Sequence, residues 1–340
     1  MRYSLLLLLL VISCSPTEKN KPFTTVEITD LYTDSLSIRA IELMGNSLAF
    51  AANKGTFGTV DVTSGKVRTN VEKYHTVIPE FRAVAHNATD FFMLSIANPA
   101  LLYKTGEDGR MDLVYTEEGD DVFYDAMTFW NNREGIAVGD SRNGCLSIIL
   151  TKDGGHHWYK LPCEDLPEGI EGEGAFAASN TNIKTIGDKA WIGTTSGRIF
   201  HTADKGKTWS VTQTPIVNKE PTQGIYSIDF YDENLGFAIG GDYIQPDSNK
   251  ANKAITQDGG KTWHLIADGA EPNYKSCIQV VPGTKGQGLV ALGFTGISYS
   301  ADQGEHWTLL SKEAFFSLRF QNDSIAYASG KNRIARLTFR

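Results

Sequence analysis

Cofactor and redox chemistry have no foothold in this sequence. It holds no G-x-G-x-x-G, no C-x-x-C and no C-x-x-C-H, the signatures of dinucleotide binding, dithiol exchange and haem attachment. It also lacks His-Glu-x-x-His and Gly-x-Ser-x-Gly, the marks of zinc proteases and serine hydrolases. The one adjacent histidine pair, His156-His157, falls in a turn, and neighbours on a strand point to opposite faces. No cofactor and no metal are therefore expected. Positive charge is in short supply too: the net charge is −8 and spread along the chain, which argues against a nucleic-acid partner. Leu5 to Ile12 is the one long apolar run, and its eight residues fall well short of the roughly 20 that span a bilayer.

What the chain has instead is glycine, aromatics and a repeat. With 33 glycines and 11% aromatic residues, it reads as many short strands and tight turns rather than helices. Thr256-Gln-Asp258-Gly-Gly260-Lys-Thr-Trp263 recurs as Thr151-Lys-Asp153-Gly-Gly155-His-His-Trp158, Thr202-Ala-Asp204-Lys-Gly206-Lys-Thr-Trp209 and Ser300-Ala-Asp302-Gln-Gly304-Glu-His-Trp307. Repeats at this spacing override a length that alone would allow two domains, and point to one quasi-symmetric domain. The octapeptide resembles the Asp-box, or BNR repeat, of sialidases and other β-propellers. Each copy follows an apolar strand and its Trp opens the next. The Asp folds back onto the turn's N–H groups, the Gly takes a backbone angle other residues resist, and the Trp plugs the gap beside a neighbouring sheet. A structural role is expected for the box, away from any active site.

Residues 1–13 read as an export leader, with Arg2 as its positive flank. Val11-Ile12-Ser13-Cys14 resembles a bacterial lipobox, which implies Cys14 as the lipidated first residue of the mature chain. Residues 14–24 then form a polar tether, and residues 25–340 the propeller. By resemblance to bacterial sorting, Ser15 implies an outer-membrane lipoprotein facing the periplasm or the cell surface, held to the membrane by its lipid only. Cys145 and Cys163 lie symmetrically about the turn at position 154 and are expected to form a disulfide across that hairpin, in keeping with an oxidising compartment. Cys277 is expected to be buried and inert.

Seven strands of similar pattern open seven blades: Ser37-Ile-Arg39-Ala40, Phe81-Arg82-Ala83, Tyr124-Asp125-Ala126, Phe176-Ala-Ala178-Ser179, Tyr226-Ser-Ile228, Tyr274-Lys275-Ser276 and Phe316-Ser-Leu318. The expected fold is thus all-β, a seven-bladed propeller of four-stranded antiparallel sheets. The first two blades carry degenerate boxes, Asp61 to Gly65 and Thr105 to Gly109. The seventh has three strands, and the lone strand at 25–29 can supply its fourth and close the ring.

In register, the residue after each opening aromatic reads Arg39, Arg82, Asp125, Ala177, Ser227, Lys275 and Ser317. This predicts a polar ring at one mouth of the channel, with Tyr124, Tyr226, Tyr274, Glu173, Asp242 and Tyr243 near the same face. A second resemblance covers nearly the whole mature chain. Phe123 to Phe129 with Gly135-Ile-Ala-Val-Gly139 looks like the repeat of the photosystem II assembly/stability factors. Gly172 to Ser179, Gly224-Ile-Tyr-Ser227 and Gly240-Gly-Asp242-Tyr243 look like a lipoprotein branch of that group. It implies seven blades and a non-catalytic scaffold for a protein partner in the envelope, without the photosynthetic role. Two other ligands remain open, a glycan and a small anion at the ring. The enzymatic alternative is a sialidase-like glycoside hydrolase, which would recruit Glu173, Tyr274 and Asp242, with arginines drawn from Arg39, Arg82, Arg319 and Arg336. Against it, Phe81-Arg82-Ala83-Val84 departs from the Arg-Ile-Pro element of sialidases.

Overall fold

The computed structural model describes residues 22–106 and 109–340. The leader, Cys14, most of the tether and Glu107 of the second degenerate box lie outside these residues. The chain forms a seven-bladed β-propeller of four-stranded antiparallel sheets. Blade three shows the plan, its strands running Tyr124–Phe129, Gly135–Arg142, Cys145–Thr151 and Tyr159–Lys160 from the inside outwards. Neighbouring inner strands touch around the whole circle, and Ser317–Phe320 of blade seven meets Ala40–Met44 of blade one.

The registers distinguish the two ends of the propeller. Tyr124 stands opposite Gly139, and Gly139 opposite Ser147, at one end; Phe129, Gly135 and Thr151 stand together at the other. The inner strands therefore begin at a mouth, and the Asp-box turns project from the opposite end. That separates the repeat from the aromatic residues that open each blade.

Blade seven is closed by both ends of the chain. Ile325–Phe339 folds back at Asn332 (φ 67°), pairing with Ser317–Phe320 through its first part and with Val26–Ser37 through its second. Ile28 faces Leu337, and Val26 faces Phe339. The Thr24 and Thr25 N–H groups donate to the Arg340 carbonyl at 2.7 and 3.1 Å. Phe23 packs on Tyr299 and Phe339 at ring separations of 4.6 and 5.1 Å. Phe23 and Thr24 thus belong to the folded domain rather than to the tether. The pairing runs well beyond residues 25–29, as far as Ser37 opposite Lys331.

One expected strand is absent. Phe176 to Ser179 does not pair in a sheet; the inner strand of blade four is Ile183–Ile186. The run Ser179-Asn-Thr-Asn182 explains the difference, since each of these side chains competes with the ladder for backbone hydrogen bonds.

The four Asp-boxes share one hydrogen-bond pattern. In the blade-five copy, Asp258 Oδ1 accepts from the Thr256 hydroxyl and the Thr262 N–H, both at 2.9 Å, and Oδ2 from the Thr262 hydroxyl at 2.7 Å. The Trp263 indole N–H donates to the Gly260 carbonyl at 3.2 Å. A Cβ on Gly155 would sit 2.3 Å from Phe92 of the preceding blade, so this glycine allows the turn to ride on its neighbour. Trp158 then packs edge-on against Phe92 and Phe129 at 6.3 and 5.8 Å. The box is a clamp between blades, and its carboxylate is occupied by its own turn.

Two outcomes follow. Phe339→Ala should lower unfolding stability by about 3–5 kcal/mol, the usual range for a buried Phe, measured as a shift of the urea midpoint. Burial works against ionised Asp153 and Asp258, but the hydrogen bonds of the turn prevail and lower both to about 2. Their contribution to stability should be complete above the unfolded carboxylate value of about 3.9 and lost as the pH falls through about 2. Asp258→Asn should flatten acid unfolding curves in that window.

Candidate functional site

The mouth is built from the openings of all seven blades, and the channel beneath it is closed. Ser179, Asn180 and Thr181 turn inwards from blade four and are all buried. Asn180 takes a left-handed backbone (φ 58°), a conformation asparagine tolerates better than most residues. Its amide donates to the Val84 carbonyl at 2.8 Å, and its Oδ1 accepts from the Met127 N–H at 2.9 Å. The Ser179 hydroxyl donates to the Ser276 carbonyl at 2.7 Å, and the Ser317 hydroxyl donates to the Ser179 carbonyl at 2.8 Å. The Thr181 hydroxyl lies 2.7 Å from that of Ser227. One turn of blade four thus bonds to blades two, three, five, six and seven, forming a hub on the axis. Sequence reasoning missed Asn180, although the Ser/Asn/Thr run was the available sign.

Above the hub lies an aromatic floor. Tyr226 stacks on Phe176 at 3.7 Å and 5°, and meets Tyr274 edge-on at 4.8 Å. Tyr274 lies 4.9 Å from Phe294. The Arg39 guanidinium sits 4.3 Å over the Phe316 ring, a cation–π contact. The rim carries Tyr243, Ile244 and Phe294, which are 47%, 66% and 41% exposed. Asp242 holds this rim in place: its Oδ1 caps the Ile244 N–H at 2.9 Å, and its Oδ2 accepts from Gln223. Burial first, then the Tyr274 and Tyr243 hydroxyls and Asp242, raise the pKa of Tyr226 far above its ordinary value. Burial likewise raises Tyr274, with Arg39 opposing and Tyr243 adding to the effect. Ile244 and Phe294 carried no sequence signal, because an exposed apolar residue on a loop looks the same wherever the loop folds.

The polar ring expected from the sequence assembles only in part, with Arg39 beside Arg82 and Tyr274. Lys275 is fully buried, and its ammonium donates to Asn273 and Thr295, both at 2.8 Å, rather than to the channel. Arg82 is paired with Glu80 at 2.6 Å. Burial, then the neighbouring Arg82, lower the pKa of Arg39. Asp125 is fully buried, and neither of its oxygens makes a hydrogen bond of normal geometry. Burial, then the adjacent Asp140, raise its pKa well above the ordinary carboxylate value. The Tyr124 side chain turns out of the channel as well: its hydroxyl donates to Glu117 at 2.7 Å in the seam between blades two and three. The reason is register, since consecutive residues of a strand point to opposite faces.

Of the glycosidase residues, Tyr274 and Asp242 stand near Tyr226 at the mouth, and the others are held elsewhere. Glu173 is 1% exposed, ion-paired with Arg198, and accepts from the Thr194 hydroxyl at 2.7 Å and the Ile170 N–H at 3.1 Å. Arg319 faces the opposite half of the channel, 3.0 Å from Glu42, and Arg336 lies in the closing ladder opposite Thr29. Three arginines therefore do not gather around Tyr274. Among the described residues no group of acidic, His or Cys side chains is arranged to hold a metal ion. Cys145 and Cys163 are joined by a disulfide with Cα atoms 5.5 Å apart, and Cys277 is buried. Cys163 stands in a 3-10 turn (Cys163–Asp165) beyond the end of the ladder between Cys145–Thr151 and Tyr159–Lys160. A recess of about 350 Å³ lies at the Asp-box end, bordered by Glu42, His86, Phe129 and Trp130.

Comparison with known proteins agrees with this architecture. The BNR/Asp-box repeat matches residues 254–265, the blade-five box with its flanking strands. No curated protein matches the sequence. Among solved structures, the chain is similar to the WD40 repeats of RRP9, with a TM-score of 0.65 at 12% identity, over 94% of this chain and 99% of that one. It is similar to a YCF48 bound to a D1 peptide, with a TM-score of 0.65 at 12% identity over 93% and 97%. It is also similar to YCF48 from Cyanidioschyzon merolae, with a TM-score of 0.63 at 12% identity over 93% and 99%. At such identities the likeness is one of fold: a complete β-propeller, with Asp-box turns.

Asn180→Ala should cost about 2–4 kcal/mol, because it leaves buried backbone groups of blades two and three without partners. Tyr243→Ala should stay within about 0.5 kcal/mol, as surface changes usually do. Chemical denaturation of the two variants beside the wild type measures the contrast.

Proposed function

We propose that the chain is an exported, lipid-anchored and non-catalytic binding module of the cell envelope, which takes a segment of a protein partner at the mouth of the propeller. The observation that carries this reading is the exposed rim of Tyr243, Ile244 and Phe294 around the floor of Phe176, Tyr226 and Tyr274, with Arg39 beside it. Aromatic residues and arginine are the types enriched in protein interfaces, and exposed apolar patches mark sites of association. The hub at Asn180 gives a ligand no passage into the channel, so it is held on a surface. A propeller of similar fold, YCF48, is known bound to a D1 peptide, which supports peptide capture by such a scaffold. Glycoside hydrolysis is the weaker reading. It needs two carboxyl groups flanking a bond, and Glu173 is committed to Arg198. Anion binding is weaker too, with Lys275 turned away and Arg82 paired.

Affinity capture from detergent-solubilised envelopes, with wild type and the double variant Tyr243→Ala/Phe294→Ala as bait, tests the proposal. One specific protein should be recovered by the wild type and lost with the variant, while both baits remain folded. Recovery of no specific protein, or equal recovery by both baits, would overturn it. Turnover of aryl-glycosides or sialosides that Asp242→Asn abolishes would establish the enzymatic reading instead.

A further inference from the structure

We propose that the anchor holds the Asp-box end of the propeller toward the membrane, so that the mouth is offered only to a partner segment standing clear of the bilayer. This rests on the lipid-anchored reading above, and adds to it which face is presented and what kind of partner can reach it.

The argument begins with strand direction. In the closing ladder Val26 faces Phe339 and Ser37 faces Lys331. The strand Ser317–Phe320 begins at the mouth, and Phe320 lies opposite Ala326 at the other end. Phe339 returns to that same end, so Val26 enters the fold there. Phe23 confirms the point of entry: it packs on Tyr299, immediately before the blade-six Asp-box, and on Phe339. The chain therefore enters the propeller on the Asp-box side, at the outer edge of blade seven.

Distances then decide the orientation. From Lys331 to Phe339 the strand climbs roughly 26 Å at about 3.3 Å per residue, so the mouth rim stands about that far from the point of entry. Eight residues separate Cys14 from Phe23, and whatever their conformation they reach at most about 30 Å. For the mouth to touch the bilayer, the linker would have to be drawn out to roughly nine-tenths of its greatest reach. Every shorter conformation leaves the Asp-box end nearer the lipid. A transmembrane segment of a partner is thus out of reach of Tyr243 and Phe294, whereas a soluble protein or an extramembrane loop is not.

The test uses the full chain, expressed with its leader and reconstituted into vesicles containing a headgroup-nitroxide lipid. A fluorophore is attached at Lys207→Cys, exposed in the blade-four Asp-box, or at Lys331→Cys, exposed at the mouth end. The native thiols do not compete, since Cys145 and Cys163 are bridged and Cys277 is buried. Strong quenching at position 207 with quenching near background at position 331 is the expected result. Equal quenching at both positions, or the reverse order, would overturn the orientation. Flotation with the vesicles is scored separately on the same samples. Wild type that fails to float, or Cys14→Ser that floats equally well, would refute the anchor and the orientation with it.

Discussion

An open sheet edge is the constraint to which the rest of this molecule answers. Blades stacked around an axis must meet, and the strand at the seam has either to find a partner or to remain a template for aggregation. Here the first described strand, Val26–Ser37, pairs with the last, Ile325–Phe339, and Phe23 covers the seam with Tyr299 and Phe339. The pairing joins residues some 300 positions apart in the chain, so the contact that completes the ring is also the one with the largest loop to close. Once it is made, each blade is supported on both sides.

The same circularity explains why the two ends differ. At the Asp-box end, turns satisfy their own hydrogen bonds and clamp neighbouring blades, as Gly155 does against Phe92. Their chemistry is used up in structure. At the mouth, Asp242 shapes a turn whose next two residues, Tyr243 and Ile244, face solvent. Between the ends, Asn180 fills the axis with hydrogen bonds to blades two and three. The result is a disc with self-satisfied turns at one end and Tyr243, Ile244 and Phe294 exposed at the other.

Much of this architecture was legible in the sequence, because period and turn chemistry are local. Four copies of Asp, Gly and Trp at fixed spacing defined the hairpins, and the strand near residue 25 completed the three-stranded seventh blade. The site was less legible, because it depends on which way a side chain points. A shift of one place turns a channel residue into a seam residue, as with Tyr124, and a lysine assigned to a polar ring is instead buried against Thr295, as with Lys275. Ile183–Ile186 took the place of the strand expected at Phe176 to Ser179. There, side-chain competition for backbone groups outweighed an alternation that otherwise looks like that of the other blades.

Thr24 and Thr25 bond to Arg340, so the two ends of the folded chain lie side by side on one rim. Cutting a ring and rejoining it elsewhere leaves its neighbours unchanged, and proximity of this kind is what makes circular permutation tolerable. A fluorescent protein fused after Arg340 would emerge beside the strand Val26–Ser37 and crowd that rim, while leaving Tyr243 and Phe294 uncovered on the far face.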